Sequence, residues 1–349
     1  MSALERGAAA TEAQAALNRF NTLGLQARAA QLAHIETLAQ VMPLLDAARA
    51  AGQPWLVLGG GSNVVLPEYF PGLVLKIGLR GRRLLESAPG HWLVEAAAGE
   101  CWHELVMWTL AEGWPGLENL ALIPGTVGAA PVQNIGAYGL ELAERIDSLD
   151  ALDLDSGQLQ RFGGGDCRFA YRDSIFRQQP GRWLITAVRL RLPRPWQPEL
   201  GYAELARELE LAQGHDPALS AAQRLAAAVI RIRQRKLPDP ALLANAGSFF
   251  KNPLVSAQQA AELTVQHPAL PRYPQADGQV KLAAGWLIEQ CGWKGRQLGP
   301  MGCHAQQALV LVNHGGASRQ DVERIARQIA ADVRQGFGVE LQPEPVFVS

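Results

Sequence analysis

Trp55-Leu-Val-Leu-Gly-Gly-Gly-Ser-Asn63 is a short apolar run that stops on three consecutive glycines. The run predicts a buried strand and the glycines a turn after it. Three glycines present consecutive backbone N–H groups with no Cβ in the way, a nest that suits a pyrophosphate. Ser62 and Asn63 add side-chain donors. A plain β-turn is the competing reading. The stretch is not a Walker A loop, because no Gly-Lys-Ser/Thr follows. Nor is it a Rossmann fingerprint, because G-x-G-x-x-G and its opening helix are absent. Outward from it, residues 36–52 read as an amphipathic helix stopped by Gly52, and Leu73–Ile77 and Trp92–Ala97 as further strands. Short strands split by glycine turns predict an α+β sheet rather than regular βαβ units.

Residues 100–112 carry Trp102, Leu105, Val106 and Thr109 on one helical face, with Gly113 after them. Residues 114–139 then hold eight Gly or Pro and almost no charge. Such a segment is a folded loop, and long ordered loops in compact domains are usually functional. It contains Pro124-Gly-Thr-Val-Gly-Ala-Ala-Pro131, a second glycine-rich surface, with Gln133 and Asn134 beside it to hydrogen-bond a flat heteroaromatic ring. Two glycine-rich loops on one β-rich domain fit a large dinucleotide held in an extended pose.

Downstream, Leu149–Leu154 reads as a strand turning at Asp155–Gly157. Residues 184–192 read as a strand with one wetter face, because Arg189 and Arg191 fall on it. Residues 218–236 form a helix with Leu225, Val229 and Ile232 on one face. Pro238-Asp-Pro240 reads as a domain junction. A helix at 281–291, a strand at Ala308–Val312 and a helix at 318–335 follow. The last opens on a Ser318/Asp321 capping box, buries Val322, Ile325, Ile329 and Val333, and stops at Gly336.

The 349 residues suit two or three domains. Disorder is expected only in the first dozen residues. Thirty-two basic against 33 acidic residues leave a net charge of −1, which argues against a nucleic-acid binder working through phosphates. Cys101, Cys167, Cys291 and Cys303 match neither a disulfide framework nor a zinc ribbon, and read as reduced thiols. The seven histidines show no metal spacing, so no metal is expected. The N-terminal MSALERGAAATEAQAALNRF lacks the apolar core of a signal peptide. No run reaches the ~18 apolar residues of a membrane span. These features predict a cytoplasmic protein, and no interface signal argues against a monomer.

In order along residues 18–346, several blocks resemble the UDP-N-acetylenolpyruvoylglucosamine reductase family. They are Gly59–Asn63, Gly116-Leu-Glu-Asn-Leu-Ala-Leu-Ile-Pro-Gly125, Gln133-Asn-Ile-Gly-Ala-Tyr-Gly139, Cys167-Arg-Phe-Ala-Tyr-Arg-Asp-Ser174, Lys236-Leu-Pro-Asp-Pro240, Asn245-Ala-Gly-Ser-Phe-Phe-Lys-Asn-Pro253, Lys281–Ile288, His304–Val310 and Leu341-Gln-Pro-Glu344. Tyr171-Arg172 and the Tyr202 region resemble the long form, which keeps a tyrosine-bearing loop over the substrate. The resemblance implies an α+β fold. Its FAD-binding region has two parts of the vanillyl-alcohol oxidase type: residues 1–80, with the tail 337–349 packing back on them, and residues 81–236. A substrate domain spans 237–336.

The chemistry the resemblance implies is reduction of UDP-N-acetylglucosamine enolpyruvate by NADPH through non-covalent FAD, with no His or Cys in an attachment motif. Hydride passes from flavin N5 to the vinyl carbon, an enolate develops, and a proton donor quenches it. Ser248 matches the donor, Arg172 the arginine on the substrate carboxylate, and Glu344 the second polarising group. On their own, these would read as a turn serine and two surface ion-pair partners. The cofactor would lie on Gly59, Gly60, Gly61, Ser62, Asn63, Ile123, Pro124, Gly125, Thr126, Gly128, Ala129, Gln133, Asn134, Gly136, Ala137 and Tyr138, with Arg233 near a phosphate. Tyr202, Lys236, Asn252, Lys294 and Gln307 match groups that hold the UDP-sugar, the one small-molecule partner implied. Pro345 departs from the usual β-branched residue and threatens the reach of Glu344. Gln342 departs too, standing where many relatives have glutamate. The competing readings are another non-covalent FAD oxidoreductase acting on an alcohol or sugar, and a non-catalytic nucleotide binder.

Overall fold

The computed structural model describes residues 10–211 and 218–349. The N-terminal residues 1–9, where disorder and the start of the Ala-rich segment were expected, lie outside them. The chain divides into two compact units. Among the described residues, the first comprises 10–15, 29–60, 71–211 and 218–233, and the second 16–28, 61–70 and 234–349.

In the first unit, strands Thr11–Ala16, Arg28–Ile35, Tyr69–Ile77 and Trp55–Leu58 lie side by side in that order. Trp55–Leu58 runs parallel to Leu73–Lys76. Ile35, Val41, Leu45, Leu73 and Leu75 have no or almost no exposed surface and form the core of this sheet with helix Val41–Ala50. The expected helix over 36–52 therefore starts later. Thr37 and Gln40 close a capping box on a single 3-10 turn, and the α-helix begins behind it. The strands Thr11–Ala16 and Arg28–Ile35 were not foreseen. Their Ala- and Gln-rich sequences have weak strand preference, and pairing imposes the conformation.

A second sheet has five antiparallel strands in the order Leu159–Gly163, Ile146–Asp153, Trp183–Pro193, His91–Ala97, Arg82–Ala88. Its inner face buries Leu149, Val188, Leu190 and Val94 against helix Trp102–Ala111 and helix Ala221–Lys236. The expected apolar faces of both helices are buried: Trp102, Leu105, Val106 and Thr109 on one, Leu225, Val229 and Ile232 on the other.

The wetter face expected on 184–192 is corrected at Arg189, which is only 8% exposed. Its guanidinium lies 2.7 Å from both Asp150 and Glu95. Arg161 pairs with Asp150 at 2.8 Å and Arg83 with Glu95 at 2.7 Å. Arg161, Asp150, Arg189, Glu95 and Arg83 thus run across all five strands with alternating charge. Opposite charges facing each other across strands stabilise a sheet. Burial penalises the Asp150 carboxylate, but the hydrogen bonds and charges of Arg189 and Arg161 outweigh it and hold the group at about 2.

In the second unit, Ala244–Ser248, Val310–Asn313, Met301–Cys303 and Gln297–Leu298 form one sheet. Leu254–Val255, Val280–Leu282 and Arg272–Pro274 form another. The helix expected over 281–291 is corrected to Ala284–Gln290, because Lys281 is taken up by pairing with Leu254 and Tyr273. The last helix, Arg319–Phe337, opens on the expected Ser318/Asp321 capping box and buries the expected stripe. It does not stop at Gly336. It continues to Gly338, whose left-handed φ of 64° and N–H bond to the Arg334 carbonyl end it. Phe249, Phe250, Trp293, Leu287 and Ile325 fill the core beneath. Val346–Phe347 pairs in parallel with Val64–Val65.

All four cysteines are free, and burial pushes the Cys167 and Cys303 thiols up to about 12. Among the described residues no helix is long and apolar enough to cross a membrane.

Because Asp150 titrates in the fold below its ordinary 3.8, its stabilisation is complete above pH ~4 and is lost as pH falls through about 2. Asp150→Asn is expected to cost about 2 kcal/mol or more at neutral pH, shrinking as pH falls toward 2. Urea midpoints of both proteins across that range measure it, and a difference independent of pH would refute the ladder's contribution.

Candidate functional site

The strand Trp55–Leu58 delivers Gly59 and Gly60 onto the second glycine-rich loop. A Cβ on Gly59 would sit 2.7 Å from Thr126 Oγ1, and one on Gly60 would sit 2.8 Å from Gly125 Cα. Real Cβ atoms do not approach that closely, so the two loops meet backbone to backbone only because both are glycine. The second loop is held in turn. Trp102 N–H donates to the Gly125 carbonyl, Val127 N–H to Glu100 and Gly128 N–H to Ala98. Gly128 also leaves no room for a side chain, since a Cβ would meet that of Ala98 at 2.5 Å.

Downstream, Asn134 is buried and left-handed (φ 44°) at the end of the 3-10 turn Ala130–Gln133. Its amide donates to Glu141 Oε2 at 2.8 Å and to the Ala170 carbonyl at 3.2 Å, and its oxygen accepts from Ala143 N–H. Ser174 Oγ donates to the Val132 carbonyl at 2.6 Å. These bonds seat the 167–174 block beside 132–136. Arg172 therefore reaches Gly136, donating to its carbonyl at 2.7 Å and to that of Asn134 at 3.4 Å. Gln133 accepts from Arg177 at 3.5 Å.

Arg172 itself is left-handed, with φ 54°. So are Leu122, Tyr138 and Arg168, and with Asn134 they make five of the six such non-glycine residues in the chain's described part. Each costs roughly 1–3 kcal/mol and persists only where surroundings over-determine it, a pattern typical of functional sites.

Tyr138 meets the ring of Tyr202 edge-on at 5.2 Å. It also hydrogen-bonds Arg233, whose pKa burial lowers while Tyr138 opposes the shift. Arg233 Nε is buried with no hydrogen-bond partner. A buried cation with a donor lacking an acceptor suits an anionic group such as a diphosphate. His103, absent from the sequence reading, lies close by. Its pKa is lowered by burial and by the charge of Arg233, against Glu104. Its Nδ1 accepts from Leu122 N–H at 3.0 Å, which places the neutral ring's proton on Nε2. Asn119, also unforeseen, is fully buried and donates to the carbonyls of Tyr138 and Glu199. Its sequence signals were its place in the Gly116–Gly125 block and its position after Glu118, the sole charged residue of 114–139.

In the second unit, Gly61 has φ 68°, and a Cβ there would lie 1.8 Å from the Phe20 carbonyl oxygen. Ser62 and Asn63, both half-buried, follow it. Ser248 ends the strand Ala244–Ser248 behind an irregularity in pairing, with Gly247 at φ 69°. The next residue, Phe249, accepts Glu344 N–H at 2.8 Å through its carbonyl. Ser248 and Glu344 therefore sit on adjoining segments. Pro345 lacks an N–H, yet Glu344 N–H on one side and Val346 N–H to Asn63 on the other hold the segment in place. Asn252 Oδ1 accepts from Ala284 N–H at 3.0 Å, and a Cβ on Gly285 would lie 3.0 Å from Gln307 Oε1. Both side chains thus stand at the start of helix Ala284–Gln290. Lys236 ends its helix half-buried, and Tyr202 is 38% exposed. Lys294 stands apart, ion-paired with Glu289 at 2.9 Å on the surface. Among the described residues no three His, Cys, Asp or Glu cluster so as to hold a metal.

Comparison with known proteins agrees with this geometry. Residues 29–163 match the family described as FAD binding domain, and 239–348 match UDP-N-acetylenolpyruvoylglucosamine reductase, C-terminal domain. UDP-N-acetylenolpyruvoylglucosamine reductase of Azoarcus sp. is 59% identical over 95% of this chain and 96% of its own. The same enzyme of Dechloromonas aromatica is 53% identical over 95% and 98%. The crystal structure of UDP-N-acetylenolpyruvylglucosamine reductase from Thermus caldophilus superposes with a TM-score of 0.65 at 25% identity, covering 97% of this chain and 99% of that one.

Gly60→Ala must push the two loops apart, since the atom met is backbone. FAD retention is expected to weaken by at least about tenfold. Flavin absorbance per polypeptide after dialysis reads this directly, and unchanged retention would mean that the contact between the loops does not hold the cofactor.

Proposed function

Because this chain belongs to the UDP-N-acetylenolpyruvoylglucosamine reductase family, an oxidoreductase family that carries an FAD-binding domain, we propose that it reduces UDP-N-acetylglucosamine enolpyruvate to UDP-N-acetylmuramate in peptidoglycan precursor synthesis. NADPH is the reductant and FAD the non-covalent resident cofactor. The observation that carries this is likeness along almost the whole chain to relatives of that name, with Ser248, Arg172 and Glu344 all present in this sequence. The protein works as a cytoplasmic monomer. Residues 1–80 and 81–236 serve the cofactor, with the tail 337–349 belonging to the first of them, and 237–336 serve the sugar.

FAD supplies the two-electron redox chemistry when bound. The chain orients, neutralises charge and moves a proton. Gly59–Asn63, Ile123–Thr126, Gly128, Ala129, Gln133, Asn134 and Gly136–Tyr138 form the cofactor surface. The glycine contacts and the buried Arg233 fit a dinucleotide diphosphate. Arg172 is a permanent planar cation whose guanidinium is already directed by the Gly136 carbonyl. It neutralises the substrate carboxylate and the enolate charge that develops beside it. Ser248 donates its hydroxyl proton to the carbanionic carbon, and Glu344, on the adjoining segment, polarises the reacting group. Tyr202, Lys236, Asn252 and Gln307 hold the diphosphate and sugar. Lys294 is the weakest member of the set, since Glu289 already engages it.

Anaerobic single-turnover spectroscopy tests this. Wild type and Ser248→Ala are each reduced with NADPH and then mixed with the enolpyruvyl sugar. Reduction is expected to match in both, while the variant's reoxidation slows by about 10²–10⁴-fold, the usual worth of general acid catalysis. Equal reoxidation rates would remove Ser248 from its role. A wild type that stays reduced with that sugar would hand the reading to another flavin oxidoreductase.

A further inference from the structure

Glu118 and Asn119 open the core of the loop 114–139 and are 2% and 0% exposed. Glu118 accepts twice: from Gly116 N–H at 2.7 Å and from the indole N–H of Trp196 at 2.5 Å. The Asn119 amide nitrogen donates twice, to the Tyr138 carbonyl at 2.8 Å and the Glu199 carbonyl at 2.9 Å. Both partners are acceptors only, so the NH2 group must face them. That orientation leaves Asn119 Oδ1 buried with no hydrogen-bond partner. A buried acceptor without a partner costs stability. The arrangement persists where the two donated bonds matter more than the lost one.

What those bonds join is specific. Tyr138 lies on the cofactor loop in a left-handed conformation. Glu199 lies three residues before Tyr202, in a segment from 194 to 202 that has no helix or strand. The two tyrosine rings meet edge-on at 5.2 Å. Beyond Tyr202 the chain enters helix Ala203–Leu211, where Tyr202 carbonyl accepts Leu205 N–H and Glu208 pairs with Arg231 at 3.0 Å. The strap is thus anchored downstream by that helix, near its start by Trp196 on Glu118, and in its middle by Asn119.

We propose that Asn119 is a positioning residue. By bonding both carbonyls at once it fixes the Tyr202-bearing strap against the cofactor loop, and so sets affinity for the UDP-sugar. This rests on the reading of Tyr202 as a substrate contact.

The test uses the full-length holoenzyme with Asn119→Asp, which keeps size but turns an acceptor toward two carbonyls. Trp196→Phe, which keeps the ring but removes its bond to Glu118, loosens the same strap from its other anchor and carries the test should the first variant not fold. KM for the enolpyruvyl sugar is expected to rise roughly tenfold or more, with kcat, flavin content and reduction by NADPH nearly unchanged. Amide hydrogen exchange over 196–203 is expected to accelerate by a similar factor while the five-stranded sheet keeps its protection. Unchanged exchange and KM would overturn the proposal. Flavin loss with kcat and KM failing together would also overturn it, by showing a merely structural role. If wild type itself does not turn over this sugar, the substrate reading fails and the affinity claim with it, while exchange still decides whether Asn119 tethers the strap.

Discussion

The absence of two side chains governs the first unit. Gly60 presses on the Cα of Gly125, and Gly59 on Thr126, at separations no Cβ could occupy. Everything around the second loop serves that contact. Its carbonyls and N–H groups are taken by Trp102, Glu100 and Ala98, so the loop cannot retreat without breaking the start of a helix and the end of a strand. Close-packed backbone with no side chains above it is what a cofactor phosphate requires. In this fold rigid anchorage supplies the loop geometry, and Arg233 adds a cation beside Tyr138.

A second constraint is stored strain. Asn134, Tyr138, Arg168 and Arg172 adopt a backbone conformation that side chains disfavour. Their neighbours hold them there. Asn134 bonds to two segments, at Glu141 and Ala143 and at Ala170, Ser174 is tied to Val132, and the Arg172 guanidinium is tied to Gly136. The cost is met by packing elsewhere in the unit, and the outcome is a set of polar groups with little freedom to reorient. Such pre-organisation is the usual use of strain at a site that must stabilise developing charge.

The alternating ladder from Arg161 to Arg83 works by a different logic, because it specifies the sheet. A slip of one residue in any strand would turn its charged residue to the other face and break the pairs that residue makes across the sheet. Arg189 is tolerable at 8% exposure because two carboxylates flank it at 2.7 Å. The ladder lies on the sheet that helices Trp102–Ala111 and Ala221–Lys236 pack against, and the latter carries Arg233. Register in the sheet thereby reaches the site.

The sequence by itself determined the α+β class, the glycine loops, the family blocks and the stripes of the long helices. Each is written locally, in the run of glycines at 59–61 or the spacing of Val322, Ile325, Ile329 and Val333. It missed what pairing imposes. Thr11–Ala16 is a strand because a neighbour makes it one, and Lys281 belongs to a strand because Leu254 and Tyr273 flank it. Helix Arg319–Phe337 passes Gly336 because only Gly338 turns left-handed. Tertiary structure alone decided that Arg189 is buried, that Arg172 is left-handed, and that Asn119 joins residues 19 and 80 positions away. Periodicity records which face of an element is apolar. It carries no record of which distant carbonyl an amide will meet.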